Sequence, residues 1–132
     1  MDIMIRRQLM AHLFFLAGTL LAGIAVGIGA YGAHSAMFDE VQLLWIEKGA
    51  RYQMYHALGL ALTGLVLANK RTFQYPTMLA GFCFIAGIIC FSGSLYAMVF
   101  TSFEAGYITP VGGLLFLSGW VLLALGGPGG KK

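Results

Sequence analysis

Two histidines, His34 and His56, bracket the only sizeable polar interlude between long apolar runs in this chain. Between them lie Asp39, Glu40, Glu47, Lys48 and Arg51. Two imidazoles with Glu40 or Glu47 are a donor set of the kind that binds zinc or copper, and imidazoles also serve as axial ligands to haem. No HExxH-like spacing accompanies them. The simpler reading is that each histidine caps a helix end or hydrogen-bonds across helices. His12 cannot join the pair, because 22 residues of helix place it roughly 33 Å from His34. Ser92 and Ser94 are the candidate nucleophiles. A serine nucleophile needs a base in reach and an oxyanion site, and no G-x-S-x-G elbow is present. Phe91-Ser92-Gly93-Ser94 reads more simply as a close-packing stretch. The glycines follow no strand and match no phosphate-binding loop. The expectation is therefore no catalytic residue, no metal and no cofactor, with a candidate ligand-binding or polar cluster at Tyr31, His34, Glu47, Tyr52, His56, Ser94 and Tyr96.

The elements that must carry these residues are membrane helices. Hydrophobic residues make up 59% of the 132 and charged residues 10%, against about 25% charged in a soluble domain. Such a chain cannot cover a water-facing surface. Its net charge of +3 comes from residues at the ends of apolar runs, which suits orientation in a bilayer and not nucleic-acid binding. Four runs are long enough to span, given that about 20 apolar residues cross a bilayer: residues 9–33, 52–69, 76–100 and 108–126. The first is too long for the core of a signal peptide, so it is read as a retained helix. Residues 35–51 read as a short amphipathic helix in the interface, with Met37, Val41, Leu44 and Trp45 on its apolar stripe and Glu47 and Arg51 as an i,i+4 pair. The fold class expected is an all-α membrane protein, one domain over 1–132, with four transmembrane helices in an up-down bundle and that interfacial helix between the first two.

Small residues mark where helices should approach one another in lipid. Gly23 and Gly27 form a small-xxx-small pair, with Ala30 and His34 continuing their face. Gly87 lies on a stripe with Cys83, Cys90 and Ser94, and Gly112, Gly119 and Gly126 recur every seven residues. The two cysteines are about 10 Å apart along one helix, too far to bridge, and read as packing residues.

Lys and Arg in short loops set orientation. One side holds Arg6, Arg7, Lys70, Arg71, Lys131 and Lys132; the other holds Lys48 and Arg51. Both termini are expected in the cytoplasm, in a bacterial inner (plasma) membrane. No charged residue lies deep within a span, which weakens a pump or ion-coupled transporter.

Four phrases then line up: Gly29-Ala30-Tyr31-Gly32-Ala33-His34; Trp45 with Gly49, Tyr52, Gln53 and His56; Phe91-Ser92-Gly93-Ser94-Leu95-Tyr96; and Thr109-Pro110-Val111-Gly112-Gly113 with Gly119-Trp120. In this order and spacing the chain resembles the small membrane proteins filed as domain of unknown function 423, also called uncharacterised protein family 0382. The resemblance runs from about Leu13 to Leu125. It implies a multi-spanning membrane protein of unknown biochemical role, and it supplies no established active site. The function expected is a non-enzymatic structural, assembly or interaction protein, with the lipid bilayer and a homo-oligomer or larger membrane complex as partners and no nucleic acid. The alternative is a lipid or small-molecule binding or transport protein with an outward-facing cavity near His34 and His56.

Overall fold

The computed structural model describes residues 2–129. Lys131 and Lys132, two of the six charges behind the expected orientation, lie outside them. Among the described residues there are four helices and no strand: α1 (Ile3–His34), α2 (Glu40–Ala68), α3 (Gln74–Phe100) and α4 (Ile108–Gly126). Three of them, α1, α3 and α4, are long and apolar enough to cross a membrane. α2, at 29 residues, is long enough but more polar: its first turns carry Glu40, Glu47, Lys48 and Arg51, and the rest carries the polar trio Gln53, His56 and Thr63. The trio is buried within the protein.

α1 begins earlier than its apolar run. The Asp2 side chain accepts from the Met4 amide, so the polar start is already helical. α2 corrects the expectation of a separate interfacial helix: residues 40–51 and the run after Tyr52 are one continuous helix. Its start is fixed by a reciprocal cap, in which the Gln42 amide donates to Asp39 at 2.8 Å and the Asp39 amide to Gln42 at 3.1 Å. That arrangement satisfies two otherwise orphaned amides. No proline follows to break the helix. Gly49, the weak point, is buried under Tyr96, whose ring lies 2.6 Å from where a Cβ would stand.

α3 contains one irregular turn, a π-helical segment at Ile89–Gly93, between regular helix at Gln74–Ile88 and at Ser94–Phe100. Single π turns of this kind recur at functional sites.

Consecutive helices pack antiparallel, and a seven-residue spacing organises two of the three seams. α1 presents Ala11, Gly18, Ala25 and Gly32; α2 answers with Ala50, Ala57 and Gly64. A Cβ on Gly18 would lie 2.5 Å from the Ala61 nitrogen, and one on Gly64 2.5 Å from the Ala11 oxygen. Here backbone meets backbone. In the α3–α4 seam Gly112, Gly119 and Gly126 receive Phe91, Phe84 and Thr77, and Gly87 receives Phe116. A repeat held at seven winds helices left-handed around each other. The core is Phe14, Ala57, Leu60, Leu67, Ala80, Phe84, Ile88, Phe116 and Leu123.

α1 is peripheral and packs almost wholly on α2. Gly23 and Gly27 do not lie in that seam, contrary to expectation. A Cβ on either meets nothing within 4 Å. The buried stripe runs through Gly18, Ala25 and Gly32, and two residues along a helix are a 200° turn, so Gly23 and Gly27 fall on the opposite flank.

The N-terminal end of α1 closes the far end of α2. Arg7 donates to the Leu67 carbonyl at 2.7 Å and to Thr72 Oγ1 at 2.6 Å, and it also reaches the Asn69 carbonyl. A cation at the last carbonyls of a helix satisfies orphan acceptors and opposes the dipole. Arg7→Ala is expected to cost about 1–2 kcal/mol, read as a lower thermal midpoint in detergent, and Arg7→Lys, lacking the fork, should recover only part of it.

Candidate functional site

Polar side chains of α2, α3 and α4 are hydrogen-bonded in the interior, one of them to a backbone carbonyl of α1. Gln53 on α2 donates to the Leu21 carbonyl on α1 at 2.8 Å. Tyr96 on α3 donates its hydroxyl to Gln53 Oε1 at 2.9 Å. Ser92, in the π turn, donates to the Gly49 carbonyl at 2.7 Å. Ser94 donates to the Phe91 carbonyl at 2.9 Å and shares a 2.6 Å hydrogen bond with Thr109 on α4. Among the described residues no buried side-chain nitrogen or oxygen lacks a partner. Neither Ser92 nor Ser94 has an imidazole among its partners, so the serine–histidine pairing weighed from sequence is not assembled.

His56 lies apart from this ladder. It is 6% exposed, and its ring stacks on Phe116 with centroids 3.4 Å apart and planes 4° apart. Phe84, Trp120 and Tyr52 surround it at 5.9, 6.1 and 6.1 Å. Its Nδ1 lies 2.6 Å from the Tyr52 carbonyl oxygen. A carbonyl can only accept, so Nδ1 carries the proton. In a neutral ring Nε2 is then an acceptor. A cavity of about 370 Å³ opens beside this imidazole, between α2 and α4, with Tyr52, Phe91 and Trp120 in its walls.

The sequence-expected cluster does not form as one site. His34 is exposed on the flank of α1 away from α2. Gly32 lies against Ile46 while Gly18 lies against Ala57, so His34 and His56 differ in height by roughly 20 Å. The expected approach of the two rings fails because α2 starts at Glu40. His56 is consequently 16 residues into that helix, roughly 24 Å from its start, and not one turn from its end. Tyr31, exposed, packs edge-on against Phe38, which in turn meets Phe100. Glu47 pairs with Arg51 on an exposed face of α2, an arrangement that contributes little to stability. Tyr52 goes with His56, Tyr96 with Gln53, and Ser94 with Thr109.

A second opening, about 670 Å³, lies between α1 and the first half of α2. Its floor is Ala25, Gly29, Gly32 and Ala50, with Glu40, Glu47 and Arg51 among its lining residues. Sequence reasoning named Gln53 and Trp120 only in the family phrases and Arg7 only for orientation, and it placed none of these, nor Phe84 or Phe116, in a site. Only part of the arrangement had a signal: Tyr52 and His56 share a helix face at i,i+4, and Ala11-Gly18-Ala25-Gly32 repeats every seven residues.

Much of the outer surface is Leu, Ile, Val and Phe: Leu20, Val26, Leu65, Ile89, Leu114, Leu117 and Leu125 are each more than half exposed. So extensive an apolar surface marks contact with lipid. The relatives agree. A UPF0382 membrane protein of Staphylococcus aureus (strain bovine RF122 / ET3-1) is 44% identical over 117 residues, covering 86% of this chain and 93% of its own. One from Staphylococcus haemolyticus (strain JCSC1435) is 40% identical over 117 residues, covering 86% and 93%. One from Bacillus subtilis (strain 168) is 39% identical over 116 residues, covering 85% and 93%. No solved structure matches. The profile of the family described as Protein of unknown function (DUF423) matches residues 28–113, a segment that holds Gln53, His56, Ser92, Ser94 and Tyr96. The chain belongs to this family of bacterial membrane proteins.

Proposed function

We propose that the chain is a four-span, up-down plasma-membrane protein that acts by assembly, without catalysing a reaction, and that its partner is a second copy or a larger membrane complex. The observation that carries this reading is the uncovered flank of α1. Gly23 and Gly27 have no neighbour within 4 Å, on a helix that packs almost wholly on α2. Small residues facing outward let another helix approach closely, and in lipid such approach is what drives association. The open groove between α1 and α2, with Val26 and Ala33 in its wall, continues the same flank. The interior ladder supports a non-enzymatic role, since its hydroxyls and amide are engaged with one another and with backbone carbonyls.

Cross-linking in native membranes tests assembly. Gly27→Cys, with Cys83 and Cys90 replaced by Ala, should give an oxidised dimer or a heavier adduct. Gly27→Leu should melt with the parent in detergent yet lose the assembly. A Gly27→Cys protein that stays monomeric would sink the reading.

In this arrangement both termini are cytoplasmic, and α2 crosses with its polar side chains turned inward. Its first turns, with Trp45 and the Glu47–Arg51 pair, lie at the outer interface. A membrane-impermeant maleimide should label Ser35→Cys from outside and Lys131→Cys only after permeabilisation. Labelling of position 35 from the cytoplasmic side would reverse the topology.

A further inference from the structure

The imidazole of His56 is nine-tenths buried, yet one of its two nitrogens has no partner. Nδ1 is committed to the Tyr52 carbonyl. Nε2 takes part in no hydrogen bond among the described residues, and it is not sealed from outside either, since no buried side-chain nitrogen there is left unpaired. The opening that reaches it is the cavity between α2 and α4. An acceptor desolvated this far is costly to leave unmatched, and cost of this kind is found where a ligand supplies the partner.

The cavity restricts what that ligand can be. Its mouth is flanked by Leu114 and Leu117, which are 64% and 65% exposed on the apolar surface, so the ligand arrives from lipid. Its walls are the rings of Tyr52, Phe91 and Trp120, and aromatic walls favour an aromatic guest in offset or edge-on contact. Its volume of about 370 Å³ is at the small end of ligand cavities, which run from roughly 300 to 1,000 Å³. That suits one or two fused rings with any long tail left outside. The free imidazole nitrogen beside the cavity accepts, so a guest that pairs with it must donate. Phe91 is placed in the wall by the π turn of α3.

We propose that this cavity is a binding site for the head of a lipid-soluble hydroquinone, its ring against Tyr52, Phe91 and Trp120 and its O–H donating to Nε2 of His56. The site binds the reduced, hydroxyl-bearing form in preference to the quinone, because a quinone offers only carbonyl acceptors to an acceptor nitrogen. This goes beyond the assembly role and does not depend on it.

The test uses the full chain in phosphatidylcholine nanodiscs, with decyl-ubiquinol and decyl-ubiquinone as probes. Trp45→Phe leaves Trp120 as the sole indole, and its fluorescence reports occupancy. The quinol should bind roughly tenfold tighter than the quinone, the discrimination of one good hydrogen bond. His56→Phe should abolish the preference. Because that variant alters the core, Gly113→Leu provides a second arm: a Cβ there meets only the Phe91 ring, at 4.0 Å, so the added side chain fills the cavity and should weaken both probes together. Equal affinity for the two probes, tighter binding of the quinone, or a Gly113→Leu protein that binds like the parent would each overturn the assignment. So would a Soret band in the purified protein, which would give Nε2 to a haem.

Discussion

Gly112→Leu is expected to prevent α3 and α4 from closing, and Gly112→Ala to destabilise the fold by about 1–3 kcal/mol, the usual cost of forcing extra atoms into a packed interior. The reason is what a side chain would meet. A Cβ at Gly112 would press on the Phe91 amide nitrogen, with Phe91 Cβ at 2.8 Å and the Cys90 carbonyl carbon at 2.9 Å. These atoms belong to or adjoin the backbone and cannot rotate away. Gly59 is the control. There a Cβ would sit 3.1 Å from the outer carbons of Trp120 and 3.3 Å from Phe84 Cζ, contacts that are less close and made by ring atoms, not backbone. Replacing a helical glycine by alanine otherwise gains roughly 0.5–1 kcal/mol, so Gly59→Ala should be near neutral while Gly112→Ala is clearly destabilised. SDS-driven unfolding of both variants in mixed micelles would show the difference. Equal midpoints would mean that α3 and α4 do not meet at Gly112.

The second large effect is at Gln53. Gln53→Leu removes the bond to the Leu21 carbonyl and strands the Tyr96 hydroxyl, linking groups on α1, α2 and α3. The expected loss is about 2 kcal/mol, from one interhelical bond and one unpaired buried group. Tyr96→Phe strands only the Gln53 oxygen and should cost about half as much. The informative variant is the double one. With both partners gone no polar atom of the pair is left unsatisfied, so its destabilisation should fall short of the sum of the singles. Additive losses would show that the two side chains act independently.

The four helices were legible in the sequence because apolar runs of 18 to 25 residues leave few alternatives. Their ends were less so. The polar residues 39–51 belong to a stretch, 35–51, that reads in the sequence as a separate amphipathic helix in the interface. In the structure they are the capped start of α2, because an Asp39–Gln42 cap favours helix locally and nothing between Gln42 and Ala68 stops it. That one boundary displaced His56 from the helix end to its middle and dissolved the expected pairing with His34. Packing partners were half legible. A small residue announces that something can come close, but not what. The glycines at 112 and 119 face Phe91 and Phe84, while Gly23 and Gly27 face outward. The seven-residue spacing on α1 and α2 separated the two cases, since a continuous seam must keep its register with a neighbour over several turns. The aromatic shell of His56 could not be read at all, because Phe84, Phe116 and Trp120 come from two helices distant in sequence and only the tertiary fold joins them.

The polarity of α2 bears on how the protein is made. A helix carrying Gln53, His56 and Thr63 crosses lipid poorly by itself, since amide and imidazole groups are expensive in hydrocarbon until they find partners. Thr63 answers its own helix, donating to the Gly59 carbonyl, and His56 does the same through Tyr52. Gln53 cannot, for its partner is the Leu21 carbonyl on α1. α1 leaves the ribosome first, and only five residues, 35–39, separate it from α2. A hairpin of the two can therefore form while the nascent chain is still beside the translocon, with the glutamine amide already bonded before it meets acyl chains. On the proposed four-span topology, the glycine-and-alanine seam between α1 and α2 would be more than close packing in the finished protein: it would be the surface on which a marginal segment is carried into the bilayer by the segment synthesised before it.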